Sequence, residues 1–218
     1  MRAMILAAGR GERLRPLTDK TPKPLLEVQG KPLIVHHLER LRDAGITQIV
    51  INTSWLAEQL QHKLGDGSAW GVRIQYSYEG PEPLETGGGI FKALPLLGRD
   101  PFLVVNGDVH TDFPFENLKH RLKQDFLAHL VMVPNPKHHP QGDFHLSPIG
   151  HLRMDGEPKL TYSGIGVYKA DFFQDCRAGK FALLPLFQEA IRQEALSGES
   201  YAGAWTDVGR LEDFPSRK

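Results

Sequence analysis

The sequence predicts an α/β fold: a doubly wound, mostly parallel sheet in the first half that turns mixed in the second. Three observations carry that expectation. Short apolar runs alternate with stretches of helical periodicity from Arg2 to Asp108, and parallel neighbours need such right-handed helical crossovers. From Ala128 onward, strand-like runs follow one another without helices between them, which is how antiparallel pairs read. Glycine, at 22 of 218 residues, exceeds the usual roughly 7% and gathers in clusters between apolar runs, as tight strand–helix connections require.

Taken in order, Arg2 to Ala7 is a short apolar strand, and Pro32 to Ala44 is a helix with Leu33, Leu38 and Leu41 on one face, stopped by Gly45. Gln48 to Asn52 reads as a strand, Trp55 to Leu64 as a helix closed by Gly65, and Val72 to Tyr78 as an alternating strand. Gly89 to Leu97 is a short helix, and Pro101 to Val105 a buried strand ending at Asn106-Gly107-Asp108. Beyond a helix from Phe115 to Lys123, a strand at Ala128 to Val133 leads into a turn-rich stretch, Pro134 to Asp143. Short strands at Phe144 to Leu146, His151 to Met154 and Leu160 to Tyr168 follow, then helices over Asp171 to Cys176 and Leu184 to Leu196. With no internal repeat or low-complexity linker, one domain is expected over 1–218, its halves divided at 110 and 111.

Lys+Arg and Asp+Glu both number 26, so the net charge is zero with histidines neutral. That excludes partners recruited by bulk charge, nucleic acid and anionic membrane surfaces among them. A single cysteine, Cys176, permits no internal disulfide, and the apolar opening Met4 to Ala8 is too short for a signal h-region, so a cytoplasmic setting is expected. No run approaches the roughly 18 apolar residues of a membrane span.

The chemistry concentrates where the first strand meets Gly9-Arg10-Gly11-Glu12-Arg13-Leu14, followed by Thr21-Pro22-Lys23-Pro24-Leu25. Glycines let backbone N–H groups approach a polyphosphate, and Arg13 and Lys23 supply charge for phosphoryl oxygens, so this is an anion-binding loop. The dinucleotide fingerprint fails: Leu14 stands where glycine or alanine is needed, and Asn52 where an acid should end the second strand. The ATPase loop fails too, because no Gly-Lys-Ser/Thr occurs. The pairs His36-His37 and His138-His139 lack the spacing of a zinc site, and no G-x-S-x-G marks a serine nucleophile.

What remains resembles the signature of the sugar-1-phosphate nucleotidylyltransferases. The resemblance runs through Glu85-Thr86-Gly87-Gly88-Gly89, similar to that family's base-contacting loop, Val104 to Asp108, similar to its metal-binding strand end, Tyr162 to Gly166, similar to its sugar-side strand, and Trp205 to Gly209, similar to its second metal segment. It implies a Rossmann-like fold of nucleotidyltransferase type, with residues 1–110 as the nucleotide half and 111–218 as the sugar half. Within the family the short chain, without a β-helix extension, is most similar to the uridylyltransferases that act on N-acetylmuramic acid 1-phosphate in cell-wall recycling.

The resemblance implies roles residue by residue. Asp108 and Asp207 would hold Mg²⁺, a hard cation that keeps several waters and needs few carboxylates; their structural reading is a pair of loop caps. Arg13, with the amides of Ala8, Gly9 and Gly11, would grip the departing pyrophosphate, and Lys23, stiffened between two prolines, the α-phosphate. Thr86 and Gly88 would read the base, Thr86 doubling as a helix cap. Asn106, Asp143, Glu157 and the Gly164 backbone are the candidates for the sugar, with Lys159 or Lys180 near its phosphate. Relatives carry Glu-Lys-Pro where this chain has Glu157-Pro158-Lys159. The substrates implied are UTP and a sugar 1-phosphate; glucose, mannose or amino-sugar phosphates with UTP, dTTP or GTP remain open, as does a non-catalytic nucleotide-sugar sensor. A monomer is expected, since nothing resembles the relatives' assembly domain.

Overall fold

A computed structural model of the chain describes residues 1–209. The first strand, β1 (Ala3–Leu6), has no exposed residue, as a strand covered on both faces must be. Three short 3₁₀ turns then carry the chain to a small hairpin, β2 (Glu27–Val28) and β3 (Lys31–Pro32), too short to show any alternation. Next come α1 (Leu33–Asp43), β4 (Gln48–Thr53), α2 (Ala57–Leu64), β5 (Arg73–Tyr78), α3 (Glu85–Leu97), β6 (Phe102–Asn106) and β7 (Val109–Thr111). The second half contributes β8 (Ala128–Val133), β9 (Phe144–Leu146), β10 (Leu152–Arg153), β11 (Lys159–Tyr168), α4 (Leu184–Arg192), β12 (Leu196–Ser200) and β13 (Trp205–Asp207).

The main sheet runs β5-β4-β1-β6-β11-β8-β12. Its first four strands are parallel, with Ile5 beside Ile51 and Val105; β11 runs antiparallel to both β6 and β8, and β12 returns parallel to β8. The β9–β10 hairpin joins the free end of β11, and a bridge from His151 to Ser197 brings it back to β12. Alternation along β1 divides the core. Ala3 and Ile5 pack with Leu38 and Leu41 of α1 and Leu60 and Leu64 of α2. Met4 points the other way, into a cluster with Ile90 and Ala93 of α3 and Phe187 of α4. The sheet is therefore wound on both faces, and each fully buried Ile or Leu in it contributes roughly 1.5–3 kcal/mol.

The differences from expectation have local causes. The helix expected from Gly89 begins at Glu85, so the glycine triplet is helical; glycine costs a helix interior about 1 kcal/mol, but here it permits contacts no side chain would. An ideal Cβ on Gly87 would sit 2.5 Å from the Phe181 ring, and one on Gly89 2.4 Å from the Glu79 carboxylate. The helices expected over Phe115 to Lys123 and Asp171 to Cys176 are 3₁₀ turns, Phe115–His120 and Ala170–Phe173. The last helix stops at Arg192 rather than Leu196, because Glu194 takes φ +55 and turns the chain so that Leu196 can enter the sheet beside Ala128.

Candidate active site

The carboxyl ends of β1, β4 and β6 converge, which is where doubly wound sheets receive ligands. One buried polar chain ties their loops together. The Ala7 N–H donates to Asn52 Oδ1 (2.6 Å), Asn52 Nδ2 donates to Glu79 Oε1 (2.7 Å), and Glu79 Oε2 accepts the Leu84 N–H (2.7 Å) just before α3. Asn52 and Glu79 are 3% and 6% exposed, so each must find partners inside the protein, and in doing so they fix the glycine loop against the start of α3.

The glycine loop closes over Lys23. Gly11 sits at φ +67, where a Cβ would lie 2.9 Å from Thr18 and 3.2 Å from Lys23, and the Thr18 hydroxyl donates to the Gly11 carbonyl (2.9 Å). Lys23, only 11% exposed, donates from Nζ to Asp108 Oδ2 at 2.6 Å. The turn bearing Asp108 is seated on β1: Gly107 donates its N–H to the Leu6 carbonyl (2.9 Å), and a Cβ there would come within 2.5 Å of that oxygen. Asp207 arrives from the far end of the described chain. β13 lies antiparallel to β7 with Asp207 opposite Val109, and the Val208 N–H donates to the Asp108 carbonyl (2.8 Å). Asp207 Oδ2 in turn lies 3.2 Å from Nε2 of His138.

Two cavities meet here. The larger, about 500 Å³, is lined by the glycine loop, Lys23, Asn52, Glu79, Glu85, Thr86 and Lys180. The smaller, about 300 Å³, is lined by His138, His139, Asp143, Tyr162, Ser163, Trp205 and Asp207. Arg13, Asn106 and Asp108 belong to both.

Of the residues singled out in the sequence, Ala8, Gly9, Gly11, Arg13, Lys23, Thr86, Asn106 and Asp108 line the first cavity, and Asp143 and Asp207 the second. Three stand elsewhere. Gly88 is buried in α3 with its N–H donated to the Phe181 carbonyl (3.0 Å), leaving no free amide for a base. Gly164, at φ +77, works from behind: a Cβ would strike the Asn106 side chain at 2.5 Å, so the glycine seats Asn106 rather than touching a ligand. Glu157 is exposed, lines neither cavity, and accepts the Lys159 N–H (3.2 Å) within its own loop. Lys180 faces the first cavity and Lys159 neither; Thr86 lies inside the first turn of α3, whose start has no side-chain cap.

Sequence reasoning missed Glu79, His138 and His139 as site residues and met Asn52 only as a missing acid. A polar residue ending a buried strand was the available sign for Asn52; nothing local marked Glu79, whose role comes from Asn52 twenty-seven positions away. Among the described residues, no group of three or more His, Cys, Asp or Glu is arranged to hold a metal ion, and no helix is long and apolar enough to cross a membrane.

A family model described as Nucleotidyl transferase matches residues 2–144, which takes in the glycine loop, Lys23, Asp108 and Asp143. The chain belongs to the nucleotidyl transferase family. This nucleotidyl transferase is 54% identical to the N-acetylmuramate alpha-1-phosphate uridylyltransferase of Neisseria meningitidis, over 97% of its own chain and 94% of that relative. It is 36% identical to the protein of the same name from Caulobacter vibrioides, over 95% and 91% of the two chains. Among solved structures, HddC from Yersinia pseudotuberculosis complexed with GMP-PN superposes with a TM-score of 0.80 at 22% identity, covering 98% of this chain and 96% of that one. That likeness shows the fold of this nucleotidyl transferase, built on a mixed, mostly parallel central sheet of Rossmann-like type.

Proposed function

We propose that the chain transfers the uridylyl group of UTP to N-acetylmuramate 1-phosphate, giving the UDP-sugar and pyrophosphate. The observation that carries the reading is the junction of the two cavities at Arg13, Asn106 and Asp108. The large cavity at the glycine loop suits a nucleoside triphosphate, the smaller one suits a sugar, and the reacting phosphates belong where they join. The 54% identity to a uridylyltransferase acting on that sugar supports the choice of substrates.

In the reaction an anionic oxygen of the sugar phosphate attacks the α-phosphorus of UTP, the new phosphoanhydride forms, and the bond to pyrophosphate breaks. The nucleophile is already ionised, so no general base is required, and the barrier lies in bringing polyanions together and in charge moving onto the leaving group. Lys23, nearly buried and fixed by Asp108, brings its charge to the α-phosphate with little reorganisation. Arg13 and the amides of Ala8, Gly9 and Gly11 receive the pyrophosphate oxygens. Asp108 and Asp207, joined through the Val208 hydrogen bond, would hold Mg²⁺ through hard carboxylate oxygens of the kind that ion prefers. When bound there the ion would offset phosphate charge. A monomer, a cytoplasmic setting and a part in cell-wall recycling belong to the same proposal.

Pyrophosphate release in the presence of Mg²⁺, with UTP, dTTP and GTP each tested against a panel of sugar 1-phosphates, tests it. The highest kcat/KM is expected for UTP with N-acetylmuramate 1-phosphate. Preference for another pair overturns the substrates, and no turnover with any pair overturns the catalytic reading.

A further inference from the structure

The second cavity poses a charge problem. Its walls carry three carboxylates, Asp108, Asp143 and Asp207, yet the sugar proposed for it brings a carboxylate of its own besides the phosphate. Each wall carboxylate is met by a basic group: Asp108 by Lys23 at 2.6 Å, Asp207 by His138 at 3.2 Å and Asp143 by His139 at 3.0 Å. Lys23 and His138 stand at the phosphoryl end with Asp108 and Asp207, and Arg13 is shared with the nucleotide cavity. His139 and Asp143 form the end that remains for the sugar.

This end is built rigidly. Asn135 staples the histidine-bearing turn to β11: its Nδ2 donates to the carbonyls of Pro140 (3.1 Å) and Lys159 (3.0 Å), and its Oδ1 accepts from the Thr161 hydroxyl (2.9 Å). Gly142, at φ +65, passes so close that a Cβ would lie 2.7 Å from Asn135 Oδ1. Asp143 is held at both ends, its N–H on the Leu160 carbonyl (2.8 Å) and its Oδ2 accepting the Tyr162 N–H (2.8 Å). Its other oxygen receives Nε2 of His139. Two further polar groups of this end are engaged, the Tyr162 hydroxyl with that of Tyr168 and the Trp205 indole N–H with the Ser163 carbonyl, while Arg13 and Asn106 line the cavity at its junction with the first. Nδ1 of His139 has no hydrogen bond to any described residue, and the ring lines the cavity.

We infer that His139 is the residue that selects an acidic sugar 1-phosphate. Asp143 fixes the ring through Nε2, and Nδ1, facing the cavity, meets the carboxylate of the sugar, so that in the complex the ring stands between two carboxylates. The inference rests on the proposed substrate and deepens it: the same turn that neutralises Asp143 supplies the contact that a neutral sugar leaves unused.

The test compares two acceptors that differ in the acidic substituent, N-acetylmuramate 1-phosphate and N-acetylglucosamine 1-phosphate, at saturating UTP. For wild type, His139→Ala and His139→Gln, kcat/KM is measured for each acceptor, alongside the KM for UTP and the unfolding temperature. Gln keeps a donor for Asp143 and so preserves the turn, but it has no second ring nitrogen to offer the substrate. Loss of a charge-assisted hydrogen bond is expected to lower the acidic-to-neutral ratio by roughly tenfold or more in both variants, mainly through the KM for the acidic sugar, with the KM for UTP unchanged. An unchanged ratio, or equal losses with both acceptors, overturns the inference. A wild type that does not favour the acidic sugar overturns the substrate reading, and that result is seen before any variant is made.

Discussion

The two halves of the site are built by opposite means. The proposed nucleotide half joins the backbone of the glycine loop and the strand ends to a few side chains, Arg13, Lys23 and Thr86 among them, and is held by one buried Asn52–Glu79 chain. The sugar half is made of side chains on a stapled turn and on β11, brought together by antiparallel pairing. Backbone recognition suits the phosphates that every nucleoside triphosphate shares, and side chains suit the acceptor that distinguishes one enzyme from the next. The contrast teaches where variation is tolerated.

Asp108 belongs to both halves, and its loss should cost most. Asp108→Asn is expected to lower kcat by roughly a hundred- to a thousandfold, the range for removing one preorganised charged contact, while circular dichroism stays native; retained turnover would separate the two halves functionally. Acid should act on both halves through one imidazole in each. Burial pushes His37, beneath Asp108, and His129, bonded to Ser197 at 2.9 Å across β8 and β12, from the ordinary 6.5 down to about 4. Below pH 6.5 the unfolded chain takes up protons that the folded one refuses, so stability present above 6.5 is lost as pH falls toward 4, on the order of 3 kcal/mol per site. Denaturant unfolding at pH 7 and pH 4.5 should show that loss shrinking in His37→Gln and in His129→Gln.

Smaller effects sharpen the contrast. Gly88→Ala would place a methyl 2.2 Å from the Gly179 carbonyl, so a cost of about 1–3 kcal/mol is expected from overpacking, read as a lower melting temperature; a weaker UTP affinity at unchanged stability would restore Gly88 to the base site. Glu157→Ala should stay within about 0.5 kcal/mol of wild type and leave both substrate KM values alone. A raised sugar KM would return Glu157 to the sugar half.

The same contrast explains what could be read in advance. Lys23 and Asp108 sit in short, ordered motifs, so the family resemblance reaches them directly, and both line the first cavity. Glu79 is defined by Asn52, a partner on another strand, and the turn that carries His139 and Asp143 is set by Asn135 bonding across to β11, so no local pattern marks either residue. Leu196 to Ser200 shows the same dependence in the fold: its Ser, Gly and Glu lack strand character, and only the parallel register against Ala128 to Met132 makes it β. Gly88 stands apart from the first cavity for a different reason. A glycine beside a binding loop and a glycine under a crowding loop look alike in sequence, and only the Gly179 carbonyl tells them apart.

The Val208–Asp108 hydrogen bond also bears on how the molecule comes into being. β13 is made long after β7, its partner, so a nascent chain with its whole nucleotide half already folded still lacks the second carboxylate. On the proposed function, the emerging polypeptide then holds the glycine loop and Lys23 before the second carboxylate of the metal pair has been made.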